Sequence, residues 1–303
     1  MHDLSINAGD VAERIAAFLG EQVNTLRRDG VILGVSGGID SAVVAMLAVR
    51  ALGADKVLAL LLPERDSSPD SEGDALPLIE QLGIRYKKVE LTPMLSALGI
   101  YKSVPLQFLM SRKIKKAVVR QQHERYVKYL GERPFLAGLL GTQGMSHRQT
   151  LDAGHAYARA KHRMRMVTLY YYAELENHLV LGTTNKSEAM TGFVVKWGDN
   201  VADVEPILPL YKTQVCQLAS YLGVPQPIIV KPPSPDLMPG ITDEFALGIT
   251  YEVLDQVLWG LEQGLASEAI AGDLGIETSQ VEYVGELVRR SAHMREMPPM
   301  PAL

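Results

Sequence analysis

The run V-I-L-G-V-S-G-G-I-D-S-A-V-V, Val31 to Val44, leaves few folds open to this chain. Four of the five residues Val31–Val35 are apolar, and they read as a buried parallel strand. Ser36-Gly37-Gly38 is a tight turn, and the apolar run Ala42–Val49 continues as a helix. A strand, a glycine turn and a helix N-terminus together make an anion site. The glycines let backbone N–H groups approach a ligand, and the helix start adds a favourable dipole. Ser36 and Ser41 add hydroxyls. Asp40 puts a negative charge beside the expected phosphate, which is unfavourable unless a cation such as Mg²⁺ lies between them.

Around this unit the pattern is β-α-β-α-β. Lys56–Leu62 (K-V-L-A-L-L-L) is a second buried strand, Asp74–Leu82 a helix and Ile84–Glu90 a third strand. Such alternation implies right-handed crossovers and an α/β fold with a doubly wound, mainly parallel sheet. The polar loop Pro63–Asp70 follows a strand's C-terminal end, where open sheets place their ligands. Ahead of the first strand, Asp10–Arg28 is an amphipathic helix with Asp10 and Glu13 as a capping box and Gly30 as its end. The rhythm breaks from Thr92 to about Tyr157. Ser111–Leu130 reads as a basic helix and Gly138–Gly154 as loop, so this stretch is an insertion over the sheet. The pattern resumes with a helix at Ala156–Glu176, a strand at His178–Gly182, the polar turn Thr183–Glu188 into a helix, and a helix at Lys212–Leu222. Lys231–Gly240 is Pro-rich and extended. Helices at Tyr251–Leu261, Ser267–Gly272 and Gln280–His293 form the C-terminal part.

Several function classes drop out. Net charge is −5, so no global field favours nucleic acid. Cys216 is the single cysteine, which excludes an intrachain disulfide framework. No window approaches an uncharged membrane span, and the N-terminus has no basic region followed by an apolar stretch. A cytoplasmic setting is expected. The loop lacks the spacing and lysine of a P-loop and has no G-x-G-x-x-G. Gly34-Val35-Ser36-Gly37-Gly38 does match G-x-S-x-G, so a serine hydrolase using Ser36 is a rival. That reading supplies no earlier strand for an oxyanion loop and leaves Asp40-Ser41 unexplained.

S-G-G-x-D-S after a strand is the signature of the N-type ATP pyrophosphatases. The second half of the chain resembles the NAD synthetases within that group. It carries L-G-T-T-N-K-S-E-A-M-T-G-F-V-V-K-W-G-D-N-V-A-D-V-E-P-I-L-P-L-Y-K-T-Q-V (Leu181–Val215), then K-P-P-S-P-D-L (Lys231–Leu237), T-D-E (Thr242–Glu244) and L-G-I-T-Y-E-V-L-D (Leu247–Asp255). The resemblance implies an adenine-nucleotide alpha-hydrolase-like, Rossmann-like fold. It implies one synthetase domain over residues 1–260, with an insertion at about 96–157. A helical tail, 261–303, packs on the same domain.

It also implies roles. Asp40 and Glu188 bind Mg²⁺. Ser36, Gly37, Gly38 and Ser41 hold the pyrophosphate of ATP, with Leu62 and Ser234 in the same site. Thr183 lies near ATP or the pyridine end, and Lys212 reaches the α-phosphate. Asp199, Asp203, Arg163 and Lys196 bind the acceptor, and Asp199 guides ammonia. The implied reaction adenylates the nicotinate carboxylate of deamido-NAD with Mg-ATP. Ammonia then gives NAD and AMP, with positioning and charge stabilisation as the protein's contribution. With no catalytic cysteine ahead of the synthetase segment, free ammonia or a separate ammonia-donating partner is the expected nitrogen source. The active unit implied is a homodimer. Two segments depart from the family pattern: Ala158-Arg159 stand where Gly-Asn is usual, and L-P-E-R-D-S-S-P-D replaces a form with Gly-x-Gln. Both alternatives therefore stay open here: a pyrophosphatase that amidates or thiolates another acceptor, and a nucleotide-binding regulator without turnover.

Overall fold

The computed structural model describes residues 2–103, 134–145, 148–234 and 241–301, with Gln121, Glu124, Arg125, Val127 and Lys128 between. Most of the expected basic helix Ser111–Leu130 and residues 235–240 lie outside these.

Four parallel strands form one sheet in the order β3-β2-β1-β4: β1 Gly30–Gly34, β2 Val57–Leu61, β3 Arg85–Lys88 and β4 His178–Val180. β1 pairs with β2 (Val31 with Val57) and with β4 (Val31 with Leu179), so it is central. Period-two alternation divides its side chains between two apolar layers. Val31 and Leu33 face α1 (Ala8–Thr25), α2 (Ile39–Leu52) and α7 (Lys212–Leu222), where Leu19, Val44, Leu47 and Leu218 are buried. Ile32, with Leu58, Leu60 and Val180, faces Met166, Leu169 and Ala173 of α5 (Arg148–Glu176). Helices on both faces of a parallel sheet are the doubly wound arrangement expected. β3 is exposed at all four positions, and its Arg-Tyr-Lys-Lys sequence suits a sheet edge.

Strand order reverses between β1 and β4. Chain segments leaving their C-terminal ends diverge there and open the crevice where ligands of such sheets bind. Beyond β2, α3 (Pro69–Leu82) and β3 are followed by α4 (Thr92–Ala97), whose Leu95 packs with Leu91, Tyr101 and Tyr157 in a small cluster. After β4 come α6 (Lys186–Thr191), α7, α8 (Asp243–Leu247), α9 (Tyr251–Glu262), α10 (Ser267–Leu274) and α11 (Thr278–Arg290). The last four bury Leu247, Leu254, Ile270 and Val284 in a second apolar cluster.

Some expected boundaries move. α1 starts at Ala8, because Asn7 Oδ1 caps it by accepting the Asp10 N–H at 3.2 Å. Asp10 and Glu13 therefore form no capping box, and Glu13 pairs with Arg50. Gly30 does not end the helix; it opens β1, and the chain turns at Arg27 with φ +50°. α5 begins at Arg148, within the stretch read as loop, because Leu151 is buried and the Thr142 hydroxyl and Arg148 hold Asp152. α8 lies just beyond the stretch Lys231–Gly240 read as extended, and Thr242 caps it through the Phe245 N–H.

Candidate active site

Gly37 has φ +72°, and a Cβ there would overlap Ser71 O. Only glycine lets the turn lie this close to α3. Gly38 starts α2 without a side-chain cap, so the first-turn N–H groups are left for a ligand. The two serines brace the loop. Ser36 Oγ accepts the Gly38 N–H at 3.3 Å, Ser41 Oγ donates to Gly38 O at 2.9 Å, and the hydroxyls lie 3.2 Å apart.

Asp40, in the first turn of α2, points across the crevice. Its Oδ2 lies 2.5 Å from Lys212 Nζ, and its Oδ1 accepts from Asn185 Nδ2 at 3.1 Å. Glu188 Oε1 lies 3.7 Å from the same ammonium. Lys212 is 2% exposed, which alone would favour the neutral amine. The facing Asp40 and Glu188 charges outweigh burial and hold it protonated far above the ordinary lysine range. Burial and Asp40 push the Glu188 carboxyl up, partly offset by Lys212. Glu188 also completes a capping box. Its Oε2 accepts the Asn185 N–H at 3.2 Å and its N–H donates to Asn185 Oδ1 at 3.0 Å.

Buried residues of the C-terminal helices fix Lys212. Asp255 accepts the Ser187 hydroxyl at 2.5 Å and the Thr213 N–H at 2.8 Å, while Ser187 Oγ accepts the Lys212 N–H at 2.9 Å. Asp243 adds a third carboxyl near the lysine. Tyr251 Oη donates to its Oδ2 at 3.0 Å, its Oδ1 is buried without a partner among the described residues, and burial pushes it up to about 6.

Two carboxylates that already stabilise a cation between them are a hard-oxygen donor set. Among the described residues no group of three or more His, Cys, Asp or Glu forms a metal cage. Hard carboxylate oxygens are the donor type Mg²⁺ takes.

On the far side of β4 the loop Val195–Asn200 carries Asp199. Its Oδ1 accepts the Val195 N–H at 2.6 Å and its Oδ2 lies 3.2 Å from His162 Nδ1. Trp197, at φ +63°, stores strain in this loop. Arg163 donates to Lys196 O at 3.1 and 3.3 Å, and Lys196 Nζ reaches His293 O. Both cations thus hold the loop and the C-terminal segment. Asp203 turns towards the strand, accepting the Val180 N–H at 2.8 Å and the Tyr170 hydroxyl at 3.3 Å.

Thr183 is half-buried at the end of β4, and Leu62 packs at the edge of the α5 layer. Ser234 donates to Ile241 O at 2.9 Å, and its neighbour Lys231 pairs with Asp74 of α3 at 2.7 Å. The structure therefore gathers Ser36, Gly37, Gly38, Asp40, Ser41, Glu188 and Lys212 at one point. Asp199, Arg163 and Lys196 meet at a second, and Asp203 turns to β4 instead.

The polar Pro63–Asp70 loop follows the C-terminal end of β2, and its acids are paired within the protein. Glu64 and Asp66 are buried and take up Lys161 at 2.8 and 3.4 Å, with Tyr101 donating to Glu64 at 2.8 Å. Arg65 lies 3.8 Å above the Tyr101 ring. The loop is clamped to α5. Asn185, Asp243, Asp255 and His162 were not singled out from the sequence, although all but His162 lie within quoted family segments.

The sequence model of the family NAD synthase matches residues 11–128 and 140–298. The chain is 48% identical over 261 residues to the NH(3)-dependent NAD(+) synthetase of Coprothermobacter proteolyticus, covering 86% of this chain and 88% of that one. To the NH(3)-dependent NAD(+) synthetase of Thermotoga maritima it is 42% identical over 286 residues, covering 94% and 97%. Among solved structures, the NMN synthetase from Francisella tularensis aligns with TM-score 0.72 at 27% identity, over 99% of this chain and 100% of that one. The NH3-dependent NAD synthetase from Campylobacter jejuni, in complex with the nitrate ion, aligns with TM-score 0.68 at 26% identity, over 98% and 100%.

Proposed function

The chain belongs to the NAD synthase family, and on that premise we propose how its residues divide the work of ammonia-dependent NAD synthesis. The enzyme is a ligase that uses ATP and ammonia to convert deamido-NAD into NAD. The observation that carries the residue assignment is the meeting of Asp40, Glu188 and Lys212 beside the uncapped N-terminus of α2.

A carboxylate is a poor electrophile, and its mixed anhydride with AMP is a good one. In this assignment the Gly38 end of α2, with Ser36 and Ser41, takes the pyrophosphate part of ATP through N–H and hydroxyl donors. Lys212 neutralises charge developing at the α-phosphate as the acceptor carboxylate attacks. Asp40 and Glu188 would hold Mg²⁺, which supplies further charge neutralisation on the phosphates. Thr183, at the end of β4, stands between the nucleotide and the acceptor. Asp199 guides ammonia, while Arg163 and Lys196 shape the acceptor loop; Asp203 braces β4 beneath it. Leu62 lines the nucleotide end and Ser234 faces the phosphates.

The assignment includes a homodimer in a cytoplasmic setting. Val167, Tyr171 and Leu175 recur every four residues on α5 and are 63%, 60% and 62% exposed. A stripe of this kind on a helix suits a second copy of the same helix. Among the described residues no helix is long and apolar enough to cross a membrane.

The test is pyrophosphate release, with product identified by mass, for deamido-NAD against a mononucleotide acceptor. The Francisella tularensis neighbour is an NMN synthetase, so both acceptor sizes belong in the assay. Preference for deamido-NAD supports the assignment, and preference for the mononucleotide overturns the acceptor half of it.

A further inference from the structure

Glu205 is a half-buried carboxyl beside the acceptor loop whose Oε1 is shielded from solvent. Glu205 follows Val204, whose backbone is bridged in parallel to Leu181, so its side chain stands at the C-terminal end of β4. Gly182 makes room for it: a Cβ there would overlap the carboxyl carbon and both oxygens. Glu205 Oε2 accepts the Thr184 N–H at 3.2 Å, whereas Oε1 is buried and has no hydrogen-bond partner among the described residues. Among the described residues none forms an ion pair with it. The Thr184 hydroxyl donates to Asp199 O at 2.9 Å. One threonine thus holds the Glu205 carboxyl with its N–H and the Asp199 backbone with its hydroxyl.

A carboxyl placed here without a counter-charge is costly unless a ligand supplies one. Burial pushes Glu205 up to about 8, with Asp199 adding to the rise and the Thr184 N–H opposing it. Burial and Asp203 raise Tyr170 to about 12, so it stays neutral. The reaction provides the missing charge, because at neutral pH the nitrogen donor is largely ammonium. Making an amide from ammonium removes two protons, one to bare the nitrogen lone pair and one after the C–N bond forms.

We propose that Glu205 is a further ammonium-binding residue, with Oε1 accepting an N–H of the ion beside Asp199. One N–H bond breaks, its electron pair stays on nitrogen and the proton goes to one of these carboxylates. The nitrogen pair then forms the C–N bond to the acyl carbon, and the C–O bond to AMP breaks with its pair on the phosphate oxygen. The second surplus proton goes to the other carboxylate, and both protons pass to water. A carboxyl raised towards neutrality matches this transfer better than an ordinary one. The proposal rests on the ammonia-dependent reading given above.

Glu205→Gln keeps the shape and the acceptor for the Thr184 N–H while removing the charge. Initial rates with ammonium chloride varied, at saturating ATP and deamido-NAD, should show the ammonium KM raised tenfold or more. KM for ATP and deamido-NAD should stay within about twofold. Exchange of labelled pyrophosphate into ATP, which needs no ammonia, should persist. In melting experiments at pH 8, ammonium chloride should raise the wild-type midpoint more than potassium or sodium chloride, and this excess should vanish in the variant. An unchanged ammonium KM in the folded variant overturns the proposal. So does a parallel loss of exchange and amidation, which marks a purely structural residue, or an equal effect of potassium, which marks a general monovalent-cation site. If Glu205→Gln does not fold, Glu205→Asp is read by the same criteria. Wild-type enzyme that makes no NAD from ammonium defeats the underlying function instead.

Discussion

Lys212 Nζ lies 2.5 Å from Asp40 Oδ2, although the two residues are 172 positions apart in the chain. The pair closes the crevice between β1 and β4 and turns two helix termini into one site. Lys212→Met leaves Asp40, Glu188 and Asp243 facing one another without a cation. Pyrophosphate release should fall by about two orders of magnitude or more. Stability in urea should fall by about 2–4 kcal/mol at pH 8, an expectation discounted for the partly exposed Asp40. The loss should shrink at pH 5, where Asp243, which burial pushes up to about 6, takes up a proton.

The metal assignment makes a sharper demand. Asp40→Asn and Glu188→Gln should each abolish AMP formation at any Mg²⁺ concentration, with the circular dichroism spectrum unchanged. Near-normal turnover in either variant refutes their role as ligands.

Asn185 joins the same two acids, donating to Asp40 with its amide nitrogen and accepting the Glu188 N–H with its amide oxygen. Asn185→Ala loses a helix cap worth about 1 kcal/mol and a hydrogen bond to a charged group worth about 1.5–3 kcal/mol. Chemical denaturation should show a loss of about 2.5–4 kcal/mol, the sum of these two contributions. The rate of pyrophosphate release should fall at saturating ATP, because Asp40 is no longer oriented.

How much of this could be read beforehand depended on how local the chemistry is. The strand, turn and helix at Val31–Val44 are specified by neighbours in sequence, and the structure keeps them as expected. The partnership of Asp40 with Glu188 and Lys212 was reachable only because Leu181–Val215 carries a family pattern. Spacing alone leaves Glu188 a helix cap, and it is one. Asp255 and Asp243 act through burial on separate helices, which no local pattern reports. Glu64 and Asp66 look like free loop acids until Lys161, on α5, is seen to take up both. His162 was hidden by helical periodicity, which marks a face but not the Asp199 opposite it.

Glu205 gives the unliganded protein a pH signature. Its folded value, about 8, lies above the ordinary 4.5, so the native state holds more protons than the unfolded state between those values. Native stability therefore falls as pH rises through that window. Melting or urea curves should show a loss of about 1–3 kcal/mol from pH 5.5 to 8.5 attributable to this group, discounted for partial solvent access. Glu205→Gln should flatten that decline; an equal slope in both proteins contradicts the raised value.

Leu175 lies at the end of the exposed stripe on α5. Leu175→Arg places a charge within the expected dimer contact. Sedimentation should show wild-type dimer and variant monomer at micromolar concentration, and equal masses would remove α5 as the contact.

The most direct test of the account is one incubation of the wild-type protein with ATP, Mg²⁺, deamido-NAD and ammonium, read by the amounts of AMP, pyrophosphate and NAD formed. The account predicts all three in equal amounts, with no NAD when ammonium or ATP is omitted. Absence of both AMP and NAD from the complete mixture would contradict it.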